Sequence, residues 1–383
     1  MRGVAAIAGV GETPYSRFSG VSESVLAMRA IAAALDDAGI APSEVDGIVP
    51  NYNAAPVEEV IGSFGMRGEM FSAVVHMGGA SSVASLGLAA GAIAAGLAEV
   101  IVLYIARNGR SGARIAGRLG GLAGQPFRAQ LEHPHGWSTP AQWYAMLCRR
   151  HMHEFGTTKD QMADVAIAMR DHAGRNPRAM LCGTPLTREG YHAAAMIADP
   201  YQRYDCCLES DGGAAIVMTT PDRARRSGRA PAMLLGCADA RPESADDIVN
   251  RTDWMSIGLT SAAPRAFEMA GVGPEAMDGA MIYDCFTFEV IHQLEEAGFC
   301  RRGEGGAFVA DGAIGPGGRF PVNTHGGLLA ESHMGAMNHV IEAVRQLRGE
   351  AGERQIANCR FLAVTGWGDM GDGAMAVLGN PHG

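Results

Sequence analysis

Apolar runs and amphipathic stretches alternate along the N-terminal part of the chain. Val4 to Gly11 is a continuous apolar run that reads as a buried strand. Ser22 to Ala38 repeats its apolar positions at the helical period, with Ser22 suited to the N-cap and Gly39 to the C-cap. Val45 to Val49 and Phe71 to Val75 read as further strands, Ser81 to Leu97 as an Ala-rich helix and Val100 to Tyr104 as another strand. The apolar stretch from Ser85 to Ala106 has the length of a membrane span, but Glu99 divides it into helix plus strand, so no span is expected. Strands alternating with helices imply βαβ units and a parallel-rich sheet.

From Arg107 to about Pro200 the pattern changes. A Gly-rich loop (Gly117 to Gly124), a His/Pro-rich loop (Glu132 to Pro140) and helices at Gln142 to Phe155 and Lys159 to Ala173 follow, with no apolar strand between them. This stretch, 107–200, reads as a helical and loop insertion over one end of the sheet. Ala214 to Met218 resumes the strands. The remainder repeats the beginning: Ala38 to Val49 can be laid without a gap over Ala270 to Met281, so that helix end, Gly cap, Pro turn, Asp-Gly and strand coincide. A strand to Tyr283, a helix Thr287 to Ala297, a strand Arg319 to Val322, a helix Met334 to Leu347 and strands Phe361 to Thr365 and Ala374 to Leu378 continue the order. The pattern predicts two similar α/β halves, residues 1–230 and 231–383, related as a pseudo-dimer.

Composition narrows the chemistry. With 383 residues, 47% of them hydrophobic and 19% charged, the chain can bury a large core. A formal charge of −10 and the lack of any basic run argue against a nucleic-acid partner. Lys159 is the sole lysine. It lies in a polar helix start that reads as solvated, so Schiff-base catalysis is not expected. The eight cysteines form no CxxC pair and no secretory segment is evident, which reads as reduced thiols in a cytoplasmic protein.

The stretch richest in chemistry is Pro321 to Gly335, where an apolar strand end runs into Asn323, His325, Gly326, Gly327, Glu331 and His333 before a helix. Polar groups on a Gly-permissive strand-to-helix loop are where α/β proteins place function, although an ordinary turn has the same composition.

Five segments, taken with the duplicated halves and the insertion, resemble the thiolase superfamily in its sterol-carrier-protein or lipid-transfer-protein branch. They are Gly11-Glu12-Thr13; Glu154 to Thr158; Asn176 to Ala179; Asp205-Cys206-Cys207 with Ser210 to Ala215; and Tyr283 to Phe286 paired with Asn323 to Gly335. The resemblance implies two βαβαβαββ halves in a layered α/β/α/β/α pseudo-dimer. In thiolases of this branch a nucleophilic Cys opens the Ala-rich helix of the first half. Here the corresponding position falls near Gly79 in Val75-His76-Met77-Gly78-Gly79-Ala80-Ser81-Ser82, and the second, C-terminal Cys is missing too. Ser81 and Ser82 are better explained as cap and packing residues than as substitutes. Tyr283 stands where the branch has a His, and His333 aligns with the His of its Gly-His-Pro loop. That pattern resembles the lipid-transfer-protein aldolases of steroid side-chain breakdown, which use two tyrosines at these loops; His333 departs from the second tyrosine.

A retro-aldol cleavage of a β-hydroxyacyl-CoA, to a ketone or aldehyde and a shorter acyl-CoA, fits a site without a nucleophile. It needs a base for the hydroxyl, a proton for the α-carbon and a holder for the enolate. Without a Schiff base, and with His151 and His153 on divergent helix faces rather than in a metal motif, acid/base catalysis remains, with no cofactor and no metal expected. Tyr283 and His333 are the two proton-transfer candidates, with His333 favoured as base because its ordinary pKa is near neutral; the reverse assignment also fits. His325, Asp284, Asn323 and His76 are supporting candidates, and Gly78, Gly79, Gly326 and Gly327 are candidates for backbone stabilisation of the enolate oxygen. Each has a structural alternative: a packed tyrosine, a helix-start histidine, a loop-orienting histidine, a capping aspartate. Two other functions stay open, a non-catalytic acyl-CoA-binding subunit and a Cys-independent acyltransferase or Claisen-type enzyme. The resemblance further implies a homodimer, and a small OB-fold, zinc-ribbon partner protein that completes the acyl-CoA site in a heterotetramer.

Overall fold

The computed structural model describes residues 2–52, 54–66, 68–112, 125–243, 250–368 and 371–380. The Gly-rich loop at 117–124 lies outside them. The first half of the chain runs β1 (Ala6–Glu12), α1 (Glu23–Ala38), β2 (Gly47–Pro50), α2 (Val57–Phe64), β3 (Phe71–Ser72), α3 (Ser81–Ala94) and β4 (Val100–Asn108). Helices α4 (Gln125–Leu131), α5 (Pro140–Phe155) and α6 (Lys159–Gly174) follow, then β5 (Met196–Ala198), β6 (Tyr201–Gln202) and β7 (Asp211–Thr219). The rest contains β8 (Ala232–Ala240), α7 (Gly258–Ala270), β9 (Gly279–Met281), α8 (Thr287–Glu296), α9 (Met337–Arg348), β10 (Phe361–Gly368) and β11 (Asp372–Gly379).

Nine strands among the described residues form one mixed sheet in the order β3-β2-β4-β7-β1-β8-β11-β10-β9. It is less parallel than the alternation of elements suggests. Pairing is parallel only towards the two ends, between β3, β2 and β4 and between β9 and β10, and antiparallel through β4-β7-β1-β8-β11-β10. The reason is that β7 follows the insertion and β11 follows β10 after only three residues, so neither enters through a helical crossover. Helix α1 covers β1, β4 and β7, and α7 covers β8 and β11. Between them, α3 packs on β4 and β7 and also on β8, β10 and β11, while α9 touches strands of both halves. Outer helix, strands, central helix pair, strands and outer helix give the five-layer arrangement. Strands such as β7, β10 and β11 are buried along their whole length, hence their largely apolar sequences.

The internal repeat has a structural counterpart. Helix α1 ends at Gly39 (φ 63°) and α7 at Gly271 (φ 67°), both left-handed, and each is followed by a 3₁₀ turn opened by Pro42 or Pro274. The two repeated aspartates then do the same work. Asp46 accepts the backbone N–H groups of Glu99 and Val100 at the start of β4, and Asp278 accepts those of Arg360 and Phe361 at the start of β10.

Several sequence expectations need correction. Arg319 to Val322 is not a strand: Val322 makes a single bridge to Ala280, next to Pro321, which has no N–H to give a ladder. The last long helix starts at Met337 rather than Met334, because Ala336 is left-handed (φ 68°) and a helix cannot run back through it. The insertion carries a two-stranded ribbon, β5 and β6, where no strand was expected. Lys159 is not simply solvated: its ammonium donates to buried Asp205 at 2.7 Å and to the Pro200 carbonyl.

Candidate active site

The C-terminal end of β9 carries Ile282, Tyr283 and Asp284, and its position is fixed by the 323–335 loop. Asn323, itself left-handed (φ 54°), uses its carboxamide as a strand mimic, accepting from the Ile282 N–H at 2.6 Å and donating to the Ile282 carbonyl at 2.7 Å. Asp284 accepts the Leu328 and Leu329 N–H groups at the start of a short helical turn, and His339 of α9 faces the same carboxylate at 3.1 Å. Gly327 (φ 64°) is required there, since any Cβ would occupy the space of the Asp284 carboxylate. The Asn-Pro-Arg-Ala segment of the insertion locks the loop from the far side. Asn176 donates to the His325 carbonyl and to Glu331, while Asn338 donates to Glu331 and to the Ser332 carbonyl.

This framework brings Tyr283 and His333 together. The Tyr283 hydroxyl is 3.3 Å from His333 Nε2, with the rings edge-on at 89°. Ser210 accepts the His333 backbone N–H at 2.9 Å, and Arg107, at the end of β4, places its guanidinium 3.5 Å from His333 Nδ1. Burial, reinforced by the Arg107 charge, pushes the imidazole down to about 3, so His333 is neutral across the physiological range. Burial likewise holds the Tyr283 phenol well above its ordinary value, with the Arg107 charge opposing. The basicity on which His333 was favoured as base is therefore absent in the resting site.

The pair sits on the wall of a cavity of about 910 Å³ that also exposes Gly78, Gly79, Trp143, Tyr144, Phe286 and Trp367. Gly79 lies against the phenol: a Cβ on it would fall inside contact distance of both the Tyr283 ring and the Trp367 carbonyl. Three thiols, Cys206, Cys207 and Cys285, line the same space. Burial raises each, Cys206 to about 12 and the other two well above the ordinary thiol range, which suppresses the thiolate a nucleophile needs. Arg17, Arg107, Arg110, Arg128, Arg170 and Arg203 converge on the cavity from elements far apart in the chain. Residue spacing gave no sign of this cationic lining, because no two of these residues belong to one sequence cluster apart from Arg107 and Arg110.

The other sequence candidates are behind or beside the cavity. Its described lining does not include His325, Asp284, Asn323, Gly326, Gly327 or His76. His325 is buried with its ring edge towards His339 and its nearest carboxylate, Glu331, at 3.7 Å. His76 is exposed and stacks on Tyr52, itself on the cavity wall, at 4.3 Å between centroids. Ser81 accepts the Met77 N–H at 2.9 Å as a helix-start residue.

Layering, duplicated turns and a paired-loop site define a thiolase-like protein, and a thiolase C-terminal domain-like family model matches residues 240–380. Two relatives narrow this. The steroid side-chain-cleaving aldolase of Thermomonospora curvata is 39% identical over 95% of this chain and 96% of its own length. The 17-hydroxy-3-oxo-4-pregnene-20-carboxyl-CoA lyase of Mycobacterium tuberculosis is 39% identical with the same coverage. The solved Ltp2-ChsH2(DUF35) aldolase superposes with a TM-score of 0.92 at 38% identity, covering 100% of this chain and 99% of that one. The chain belongs to the lipid-transfer-protein aldolase branch of the thiolase-like family.

Proposed function

We propose that the protein is a carbon–carbon lyase that cleaves a β-hydroxyacyl-CoA by retro-aldol chemistry, giving a ketone or aldehyde and a shorter acyl-CoA. The observation that carries this reading is the Tyr283–His333 pair, 3.3 Å apart on the wall of a large cavity, with Gly79 packed against the phenol. The reaction is proton-neutral. One proton leaves the β-hydroxyl, the bond between the α- and β-carbons breaks as the carbonyl forms, and one proton arrives on the α-carbon. Tyr283 and His333 are the proton-transfer groups. Backbone N–H groups at Gly78 and Gly79 are the candidates for holding the enolate oxygen, since these glycines, unlike Gly326 and Gly327, border the cavity. No acyl-enzyme, Schiff base or metal enters this scheme, and CoA enters only as part of the substrate. Lys159 is committed to Asp205, and the three cavity thiols are held protonated.

The cavity size and its aromatic and aliphatic walls suit a bulky apolar acyl group, and its arginines suit the phosphates of CoA. The short edge strand β3, beside exposed Val74, is the proposed homodimer contact. A small OB-fold, zinc-ribbon partner is proposed to complete the acyl-CoA site, a reading supported by the two-protein name of the superposing aldolase. Among the described residues no helix is long and apolar enough to cross a membrane. The test is incubation with a panel of β-hydroxyacyl-CoAs, with and without such a partner. Release of a ketone or aldehyde with a shortened acyl-CoA is expected. Tight CoA-ester binding with no cleavage under either condition would instead identify a binding subunit.

A further inference from the structure

Arg107 has no counterpart among the residues that sequence patterns single out, yet its guanidinium reaches the ring of His333. Its guanidinium approaches His333 Nδ1 at 3.5 Å, the outer limit of a hydrogen bond, while Nε2 on the opposite side of the ring faces the Tyr283 hydroxyl at 3.3 Å. A guanidinium carries only donors and stays charged. An Nδ1–H tautomer would set N–H against N–H, and an imidazolium would set cation against cation. The arrangement without repulsion has a lone pair on Nδ1 and the ring proton on Nε2, where it meets the phenol oxygen.

We propose that Arg107 is a positioning residue that holds His333 as the neutral Nε2–H tautomer, so that His333 donates to Tyr283 and the Tyr283 hydroxyl is the group that exchanges protons with substrate. Within the retro-aldol reading, on which the second half of this inference rests, Tyr283 gives its phenolic proton to the α-carbon and receives the proton of the β-hydroxyl. The electron pair of the broken carbon–carbon bond becomes the new carbon–hydrogen bond, and the phenol is restored. His333 and Arg107 support the oxygen while it carries partial negative charge.

The surroundings of the ring are consistent with this. Ser210, at the entry to β7, is used by the backbone N–H of His333 and not by the ring, and Ser332 faces Ser210. His339 on α9 disfavours a second positive charge nearby, as Arg107 does. The thiols of Cys207 and Cys285 beside Tyr283 are uncharged. Arg110 and Glu209, of opposite sign, line the same cavity. The ring is also hydrogen-bonded to the backbone of His333 itself, which favours its protonated form and opposes burial and Arg107.

Nitrogen NMR of the full chain labelled in its histidine rings reads the tautomer directly, with His333→Gln identifying the signal among the twelve histidines. The expected wild-type result is an unprotonated Nδ1, a protonated Nε2 and no titration between pH 8 and 5. Arg107→Gln should release the tautomer and raise the midpoint by about one unit or more, and Arg107→Lys, which keeps the charge, should restore the low midpoint. A wild-type ring protonated on Nδ1, or a tautomer and midpoint unmoved in a folded Arg107→Gln protein, would overturn the inference. These readouts do not depend on turnover. If they come out as expected and no β-hydroxyacyl-CoA is cleaved, the lyase reading fails and the role of Arg107 stands. In an active enzyme, Arg107→Gln should add an acid limb to kcat/KM that the wild type lacks and Arg107→Lys should remove.

Discussion

Gly79 and Tyr283 occupy one space. A Cβ on Gly79 would intrude on the phenol carbon and oxygen of Tyr283 and, from the other side, on the backbone carbonyl of Trp367. The space beside Gly79 is therefore closed by Tyr283, and a side chain placed there displaces the phenol from His333. Gly79→Ala is expected to destabilise the protein by about 1–3 kcal/mol and to abolish cleavage. Combining it with Tyr283→Ala should recover only part of the stability, since the Trp367 carbonyl cannot move aside as a side chain can. Thermal melts of the single and double variants measure this.

Removing either member of the Tyr283–His333 pair should leave binding largely intact and slow the chemical step. Tyr283→Phe and His333→Ala should each lower kcat by at least ~100-fold, with a smaller change in KM. Near-normal turnover in both folded variants would remove the pair from the mechanism.

Acid sensitivity follows from the buried neutral histidines. Burial holds His333 at about 3 and His172 at about 4, and lowers His292 and His325 as well. The unfolded chain binds these protons near the ordinary histidine value while the folded chain does not. Folding stability should then fall as pH drops from about 6.5 towards 4. Urea midpoints across that range check the slope; His172→Gln should flatten it without touching the cavity.

The loop carrying His333 depends on Asn176. Asn176→Ala would leave the His325 carbonyl and one Glu331 oxygen without their bonds to the carboxamide. A loss of about 2–3 kcal/mol is expected, together with reduced kcat, because the loop also sets the Tyr283–His333 distance. Denaturant unfolding and single-turnover kinetics on the same preparation separate the two effects.

Lys159 serves the fold. Its ammonium neutralises Asp205, which also accepts from Tyr191, Thr287 and the Gln202 N–H. Lys159→Met should cost about 3 kcal/mol by leaving that buried carboxylate without its cation. Borohydride treatment in the presence of a released carbonyl product should yield no adduct on the wild-type chain.

What the chain declares by itself is periodic or repeated. The apolar runs mark β1, β4, β7 and β11, since a strand buried on both faces must be apolar throughout. Ser22, Gly39 and Gly271 mark helix ends because only certain residues satisfy or turn the backbone there. The Asp46 and Asp278 repeat is visible because each carboxylate holds the start of a later strand. Tyr283 and His333 stand out through the residues around them and through the missing cysteine. Tertiary structure decided the rest. It set the direction of the central strands, which depends on how the insertion returns the chain to the sheet. It placed Asn323, Asp284 and His325 behind the cavity rather than in it, a matter of which face of a loop is covered. It gathered Arg107 and five other arginines, most of them distant in sequence, around one cavity. And it made His333 a neutral imidazole against Arg107, because protonation depends on burial and on the nearest charge, neither of which residue type or spacing contains.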